Sequence, residues 1–208
     1  MVEPFPLHRF HEIELAINDQ LSSYANVPKA LWFREICFCL LTPQSSPFNA
    51  ELRLIDLEKH GLFEEKLNEQ QVAEILRSPY SYIRFHNQKA KRLISILKKR
   101  EQIEKVLFSQ QSPESERNIL LNEIQGFGLK ETSHALRNIG RFGFGILDRH
   151  ILRALVKWGA IKEIPKSINN KIYFECEDAM RSYAKSVKIS IDQLDVFMWA
   201  EATGLIFK

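Results

Sequence analysis

Apolar residues recur along this chain at intervals of three and four, and segments of strict alternation are scarce. Phe10, Ile13, Ile17, Leu21 and Tyr24 return to one side of a helix with 3.6 residues per turn. Residues 30–41 are nearly all apolar, which predicts a central helix buried on all sides. Two prolines and two serines in Thr42-Pro43-Gln44-Ser45-Ser46-Pro47 end it in a loop. Helical patterns resume over 49–60, 69–77, 87–108 and 115–123, then over 129–139, 146–158, 168–187 and 190–203. Ser112-Pro113-Glu114 reads as a helix start, with a serine cap, a proline where no N–H is needed, and an acid at the positive end. No period of 20–50 residues repeats. The pattern predicts an all-α fold.

Composition narrows the class. The 208 residues are 45% hydrophobic and 26% charged, enough for a packed core in one or two domains and too apolar for a disordered chain. No run approaches the roughly 20 apolar residues of a membrane span, and the first 14 residues lack a secretory apolar stretch. The expected location is the cytoplasm. The net charge of +3 says little, but its distribution says more. Residues 84–105 hold eight bases against two acids, whereas residues 51–74 hold seven acids against three bases. That asymmetry suits a polyanion held against one face, and equally a solvated basic helix. Cys37 and Cys39 are two apart, so a helix points them to nearly opposite sides, and Cys176 is alone. Buried free thiols are expected, with no disulfide framework, zinc site or iron–sulfur cluster.

The densest chemical signal is Ile124-Gln125-Gly126-Phe127-Gly128-Leu129-Lys130, two glycines between a helix ending near Glu123 and one beginning near Leu129. Glycines permit positive φ and close backbone approach, and the helix start adds unpaired N–H groups and a positive dipole end. Gly126 and Gly128 are thus candidates to cradle a DNA phosphate; an ordinary glycine turn reads the same way in isolation.

Gly126 to Lys130, followed by Phe144-Gly145-Ile146-Leu147-Asp148-Arg149-His150, resembles the helix-hairpin-helix DNA glycosylase superfamily. In that superfamily a lysine follows the hairpin and an aspartate lies about 18 residues on. Arg84-Phe85-His86-Asn87-Gln88-Lys89-Ala90, Ala135-Leu136-Arg137-Asn138-Ile139-Gly140 and the ending Leu194-Asp195, Trp199, Thr203-Gly204 and Lys208 are more narrowly similar to the compact archaeal-type 8-oxoguanine DNA glycosylase/lyases. The four-cysteine cluster segment of related pyrimidine-lesion and adenine enzymes is missing, since one cysteine follows position 39.

Breaking a glycosidic bond in DNA builds positive charge on the sugar, which a carboxylate stabilises, while a neutral amine attacks the anomeric carbon to form a Schiff base. Asp148 and Lys130 are the candidates. Lys130 could otherwise be a surface lysine, although the first turn of a helix is a poor place for a cation. Asp148 also suits the N-cap of a helix starting at Arg149, and one residue can do both. A damaged base must leave the stack for a pocket of aromatic faces and polar groups. By resemblance Phe85 and Trp199 sandwich it, where plain core packing is the alternative. Gln44 resembles the superfamily's polar wedge in the duplex, although a loop glutamine needs no special role. The resemblance also gives the C-terminal Lys208 a part in telling 8-oxoguanine from guanine, against a solvent-exposed chain end. Asp195 could accept from the base edge or pair locally.

The expectation is therefore an all-α, two-lobed fold with the active-site cleft between the lobes. One lobe spans 26–139 with the hairpin; the other combines 1–25 and 140–208. The expected activity is excision of 8-oxoguanine from double-stranded DNA by a monomer, with β-elimination at the abasic site and association with the nucleoid. Excision of another oxidised base, or DNA binding without catalysis, are the alternatives. No redox or organic cofactor is expected, and the resemblance allows a monovalent cation on the carbonyls of Asn122, Ile124 and Phe127.

Overall fold

Spacing by threes and fours becomes helix throughout. In this computed structural model, which describes residues 2–109 and 111–206, the described residues form helices and connecting turns with no strand. In chain order they are α1 (Leu7–Ala25), a single 3-10 turn (Lys29–Leu31), α2 (Trp32–Leu41), α3 (Pro47–Lys59), α4 (Glu69–Leu76) and α5 (His86–Leu97). Then follow α6 (Arg100–Phe108), α7 (Pro113–Glu123), α8 (Leu129–Arg137), α9 (Arg149–Lys157), α10 (Asn170–Ser186) and α11 (Ile191–Thr203). The chain divides into two compact units, Pro28–Ala135 and Met1–Val27 with Leu136–Lys208.

In the Pro28–Ala135 unit α2 is the centre, packed against α3, α5 and α6. Phe33, Ile36, Cys37, Phe38, Cys39 and Leu41 are all buried, as expected of a stretch apolar on every side. Arg34 is the exception on this helix, tied to α3 through Glu51 at 2.6 Å and Glu58 at 3.0 Å. Part of the acidic surplus in 51–74 is thereby neutralised within the fold.

Two helices differ from the sequence reading by more than two residues at an end. The pattern over 87–108 is two helices: the chain bends at Lys98 and Lys99, and the Lys99 ammonium bonds the Glu123 carbonyl and carboxylate, both at 3.1 Å. The pattern over 146–158 becomes helical only at Arg149, because the Asp148 side chain caps that end. Ser112 does cap α7, taking the Ser115 N–H at 3.2 Å.

The other unit packs α11 against α1, α9 and α10. Its core is aromatic: Phe197 lies 5.3 Å from Phe5, 5.5 Å from Phe10 and 5.7 Å from Trp158, ring centre to ring centre. α11 begins with a reciprocal capping box between Ser190 and Gln193, and Gln193 also donates to Asn18 of α1 at 2.9 Å. The three cysteines form no disulfide and are buried, and among the described residues no group of His, Cys, Asp and Glu could hold a metal ion. No described helix is long and apolar enough to cross a membrane.

Candidate functional site

The turn between α7 and α8 closes with the Phe127 N–H on the Ile124 carbonyl at 3.1 Å. Gly126 has φ +95°, and a Cβ there would lie 2.5 Å from the guanidinium carbon of Arg92, which crosses the turn. The positive φ favours glycine, and any larger residue would also have to move the Arg92 side chain aside. The expectation of bare N–H groups needs one correction. The Gly128 N–H already donates to the Glu131 carboxylate at 3.1 Å, which serves as the acid of the helix's first turn. An anion reaching Gly128 must displace Glu131, whereas the Gly126 N–H meets no acceptor among the described residues. Lys130 sits in that same first turn with its side chain about one-quarter exposed and its ammonium 3.9 Å from Glu131.

The loop after α2 is built around a charge that the sequence reading assigned to the basic face. Lys89, 1% exposed, donates to the carbonyls of Leu41 and Pro43, each at 2.7 Å, and to Ser45 Oγ at 3.1 Å. Gln44 projects from this loop, exposed and at φ +53°. Ser45 Oγ also accepts the Arg84 N–H at 3.0 Å, which joins the loop to the turn entering α5. There Phe85 stands at φ +60°, 45% exposed, with the Arg84 guanidinium 5.2 Å from its ring centre. Core packing does not describe Phe85.

Burial lowers the Lys89 amine to about 8, and the charges of Arg92 and Lys130 push the same way. An unfolded lysine keeps its proton to about pH 10.4. Between about pH 8 and pH 10 the unfolded chain therefore holds a proton that the folded chain has released. Stability contributed through Lys89 should rise across that window, by about 3 kcal/mol in total. The Cys37 thiol and Tyr183 hydroxyl, pushed up by burial, act in the opposite sense. The measurement is thus the difference between wild-type and Lys89→Met unfolding free energies at pH 7.5 and pH 10. A difference that does not change with pH contradicts the assignment.

In the other unit, residues 143–147 form an irregular segment held by side chains of α10 and α11. Gly143 N–H meets Asp192 at 3.0 Å, Gly145 N–H meets Glu177 at 3.0 Å and Ile146 N–H meets Asp195 at 2.8 Å. The Tyr173 hydroxyl donates to the Gly145 carbonyl at 2.6 Å and accepts the Leu147 N–H at 3.4 Å. This rail delivers Asp148 to the start of α9. Asp148 Oδ1 takes the N–H groups of His150 at 2.7 Å and Ile151 at 2.9 Å, so Oδ2 remains available to a ligand. Asp195 pairs locally: its second oxygen accepts from Arg137 at 2.9 Å, leaving neither free for a base edge. Burial pushes this carboxyl up to about 7 against the pull of Arg137. Trp199, half-buried, follows on α11; Lys208 lies outside the described residues.

Of the sequence candidates, Gln44, Phe85, Gly126, Gly128 and Lys130 belong to the Pro28–Ala135 unit. Asp148 and Trp199 belong to the other. Sequence reasoning missed the roles of Lys89 and Glu131 and the rail partners Tyr173, Glu177 and Asp192; Asp195 was a candidate, and its pairing alternative is the one that describes it. Lys89 left a signal: it shares its helix phase with Leu93, Ile96 and Leu97, all buried.

A family model described as 8-oxoguanine DNA glycosylase matches residues 13–189. The chain is 41% identical over 181 residues to an 8-oxoguanine DNA glycosylase/AP lyase of Fusobacterium nucleatum, covering 84% of this chain and 81% of that one. A protein of the same name from Saccharolobus solfataricus is 35% identical over 209 residues, covering 98% and 96%. Among solved structures, the Methanocaldococcus jannaschii 8-oxoguanine glycosylase/lyase in complex with a 15mer DNA containing 8-oxoguanine superposes with a TM-score of 0.84. It is 26% identical, with 97% of this chain and 98% of that chain covered.

Proposed function

The chain belongs to the 8-oxoguanine DNA glycosylase family, and from that premise we propose that it excises 8-oxoguanine from double-stranded DNA and cleaves the strand at the abasic site. The observation that carries the assignment of roles is the contrast between two neighbouring amines. Lys89 is buried with all its donors engaged, whereas Lys130 is accessible beside the glycine turn. Lys130 is the amine able to reach a sugar.

Its Nζ attacks the anomeric carbon as the bond to the purine breaks and the electron pair leaves with the base. Asp148 Oδ2 stabilises the positive charge that develops on the sugar. Loss of a proton from Nζ and cleavage of the C1′–O4′ bond, with O4′ taking up a proton, open the sugar to a Schiff base; this acidifies the adjacent sugar carbon, and loss of that proton expels the 3′ phosphate oxygen by β-elimination. Phe85 and Trp199 receive the extruded base on their faces, and Gln44 fills the space it leaves. Gly126 offers its N–H to a backbone phosphate. A monovalent cation, if bound, would be held by the carbonyls of Asn122, Ile124 and Phe127, of which Ile124 O also takes the Phe127 N–H. The reading requires no redox or organic cofactor and places a monomeric enzyme with DNA in the cytoplasm.

A panel of defined duplexes tests this function. 8-Oxoguanine should be removed well ahead of guanine, because a site built for the oxidised base leaves guanine unpaired at about 1–3 kcal/mol per missed bond. Preference for an oxidised pyrimidine, or binding without cleavage, would overturn it.

A further inference from the structure

Lys89 is an expensive residue. Its ammonium is buried, it has no carboxylate within ion-pair distance among the described residues, and Arg92 and Lys130 repel it more than the Glu131 carboxylate attracts it. A buried cation without a counterion is unfavourable unless its hydrogen bonds are satisfied, and here neutral oxygens satisfy all three. Those oxygens come from Leu41, Pro43 and Ser45, the residues that flank Gln44. Ser45 Oγ extends the connection by accepting the Arg84 N–H, one residue before Phe85. One amine and one hydroxyl therefore join two separate turns.

Each turn carries a non-glycine residue in the left-handed region, Gln44 at φ +53° and Phe85 at φ +60°. Such conformations are unfavourable and persist where surrounding structure imposes them. Both side chains are exposed, so neither is held in place by burial of its own. The strain thus serves to hold two exposed side chains in fixed positions, and the Lys89–Ser45 link is what fixes them to each other.

We propose that Lys89 is a positioning residue for lesion extrusion: it braces the Gln44 turn against the Arg84–Phe85 turn, so that both side chains are preset before a nucleotide leaves the duplex. The role rests on the reading of the chain as a lesion-excising enzyme. Without the brace, each extrusion must also order the two turns. That burden falls on a paired lesion and is light for a nucleotide that is already unpaired. The brace takes no part in the attack itself; Lys89→Met also removes a charge that Lys130 feels, whereas Ser45→Ala keeps it and isolates the extrusion step.

The test compares wild type, Lys89→Met and Ser45→Ala on three substrates in single turnover: 8-oxoguanine paired in a duplex, the same lesion in an unpaired bulge, and a preformed abasic site. Ser45→Ala breaks the link with little demand on folding, so the test stands if Lys89→Met is unstable. Misplacement of such groups by about 1 Å costs on the order of 100-fold, the expected loss for Lys89→Met on the paired lesion. The bulged lesion should recover most of that rate, abasic-site cleavage should persist, and Ser45→Ala should show the same order of substrates with smaller losses. Equal losses on all three substrates, or undiminished excision of the paired lesion by both variants, overturn the role. Wild-type protein that cleaves the abasic site yet leaves 8-oxoguanine in place overturns the functional reading, and this role with it.

Discussion

Lys130→Gln should bind lesion-bearing DNA and give no covalent adduct when borohydride is added. Borohydride reduces a Schiff base to a stable secondary amine, so trapping reports the nucleophile directly. Glutamine keeps the length and polarity of the side chain but has no amine. Strand cleavage should fall by at least about 1000-fold, as for other removed nucleophiles. Stability should move by no more than about 1 kcal/mol, since the ammonium is partly exposed and its ion-pair neighbour Glu131 lies 3.9 Å away. DNA affinity should drop slightly with the lost charge, more visibly at low salt. Undiminished trapping would move the chemistry to another amine. Lys89 is a poor substitute, because its three donors are committed to the Gln44 loop.

Asp148→Asn separates two roles that one residue combines. The cap uses Oδ1, and asparagine retains an oxygen there with similar capping strength, so the melting temperature should barely change. The charge is lost. Removing one preorganised electrostatic group from a developing charge costs about 100- to 1000-fold in rate, and excision should fall by that much. Asp148→Ala should lose the rate and also about 1 kcal/mol of stability with the cap. Rate and melting temperature that decline together across both variants would leave Asp148 as a cap alone. Excision assays beside thermal melts distinguish the outcomes.

The sequence made the helices legible because their apolar spacing is a local property. The burial of 32–41, though not of the exposed Ala30 and Leu31 before it, and the cap at Ser112 could be read from a few adjacent residues. So could the glycine turn, where Gly126 marks a backbone conformation few other residues accept. What escaped was set by partners distant in the chain. Lys89 looked like one of eight bases in a cationic run; its acceptors lie 44 to 48 residues earlier. The rail under residues 143–147 depends on acids 32 to 49 residues later, which resemble surface carboxylates on α10 and α11. Charged side chains facing inward have no local signature of their own beyond helix phase. The break at Lys98 and Lys99 was hidden for a related reason: both flanking segments are helical, and the bend is fixed by Glu123.

One feature of the fold bears on how the chain is made. α1 belongs with α9 and α11, and Asn18 waits for Gln193, 175 residues later. At about 5–20 residues per second, the ribosome needs roughly 10–35 s to supply that partner. During that interval Phe5 and Phe10 lack the ring of Phe197, while every residue of the Pro28–Ala135 unit has already been synthesised. Assembly is therefore retrograde here: α1 is made before the Pro28–Ala135 unit yet completes its core only after that unit, and a ribosome stalled before α11 leaves it exposed.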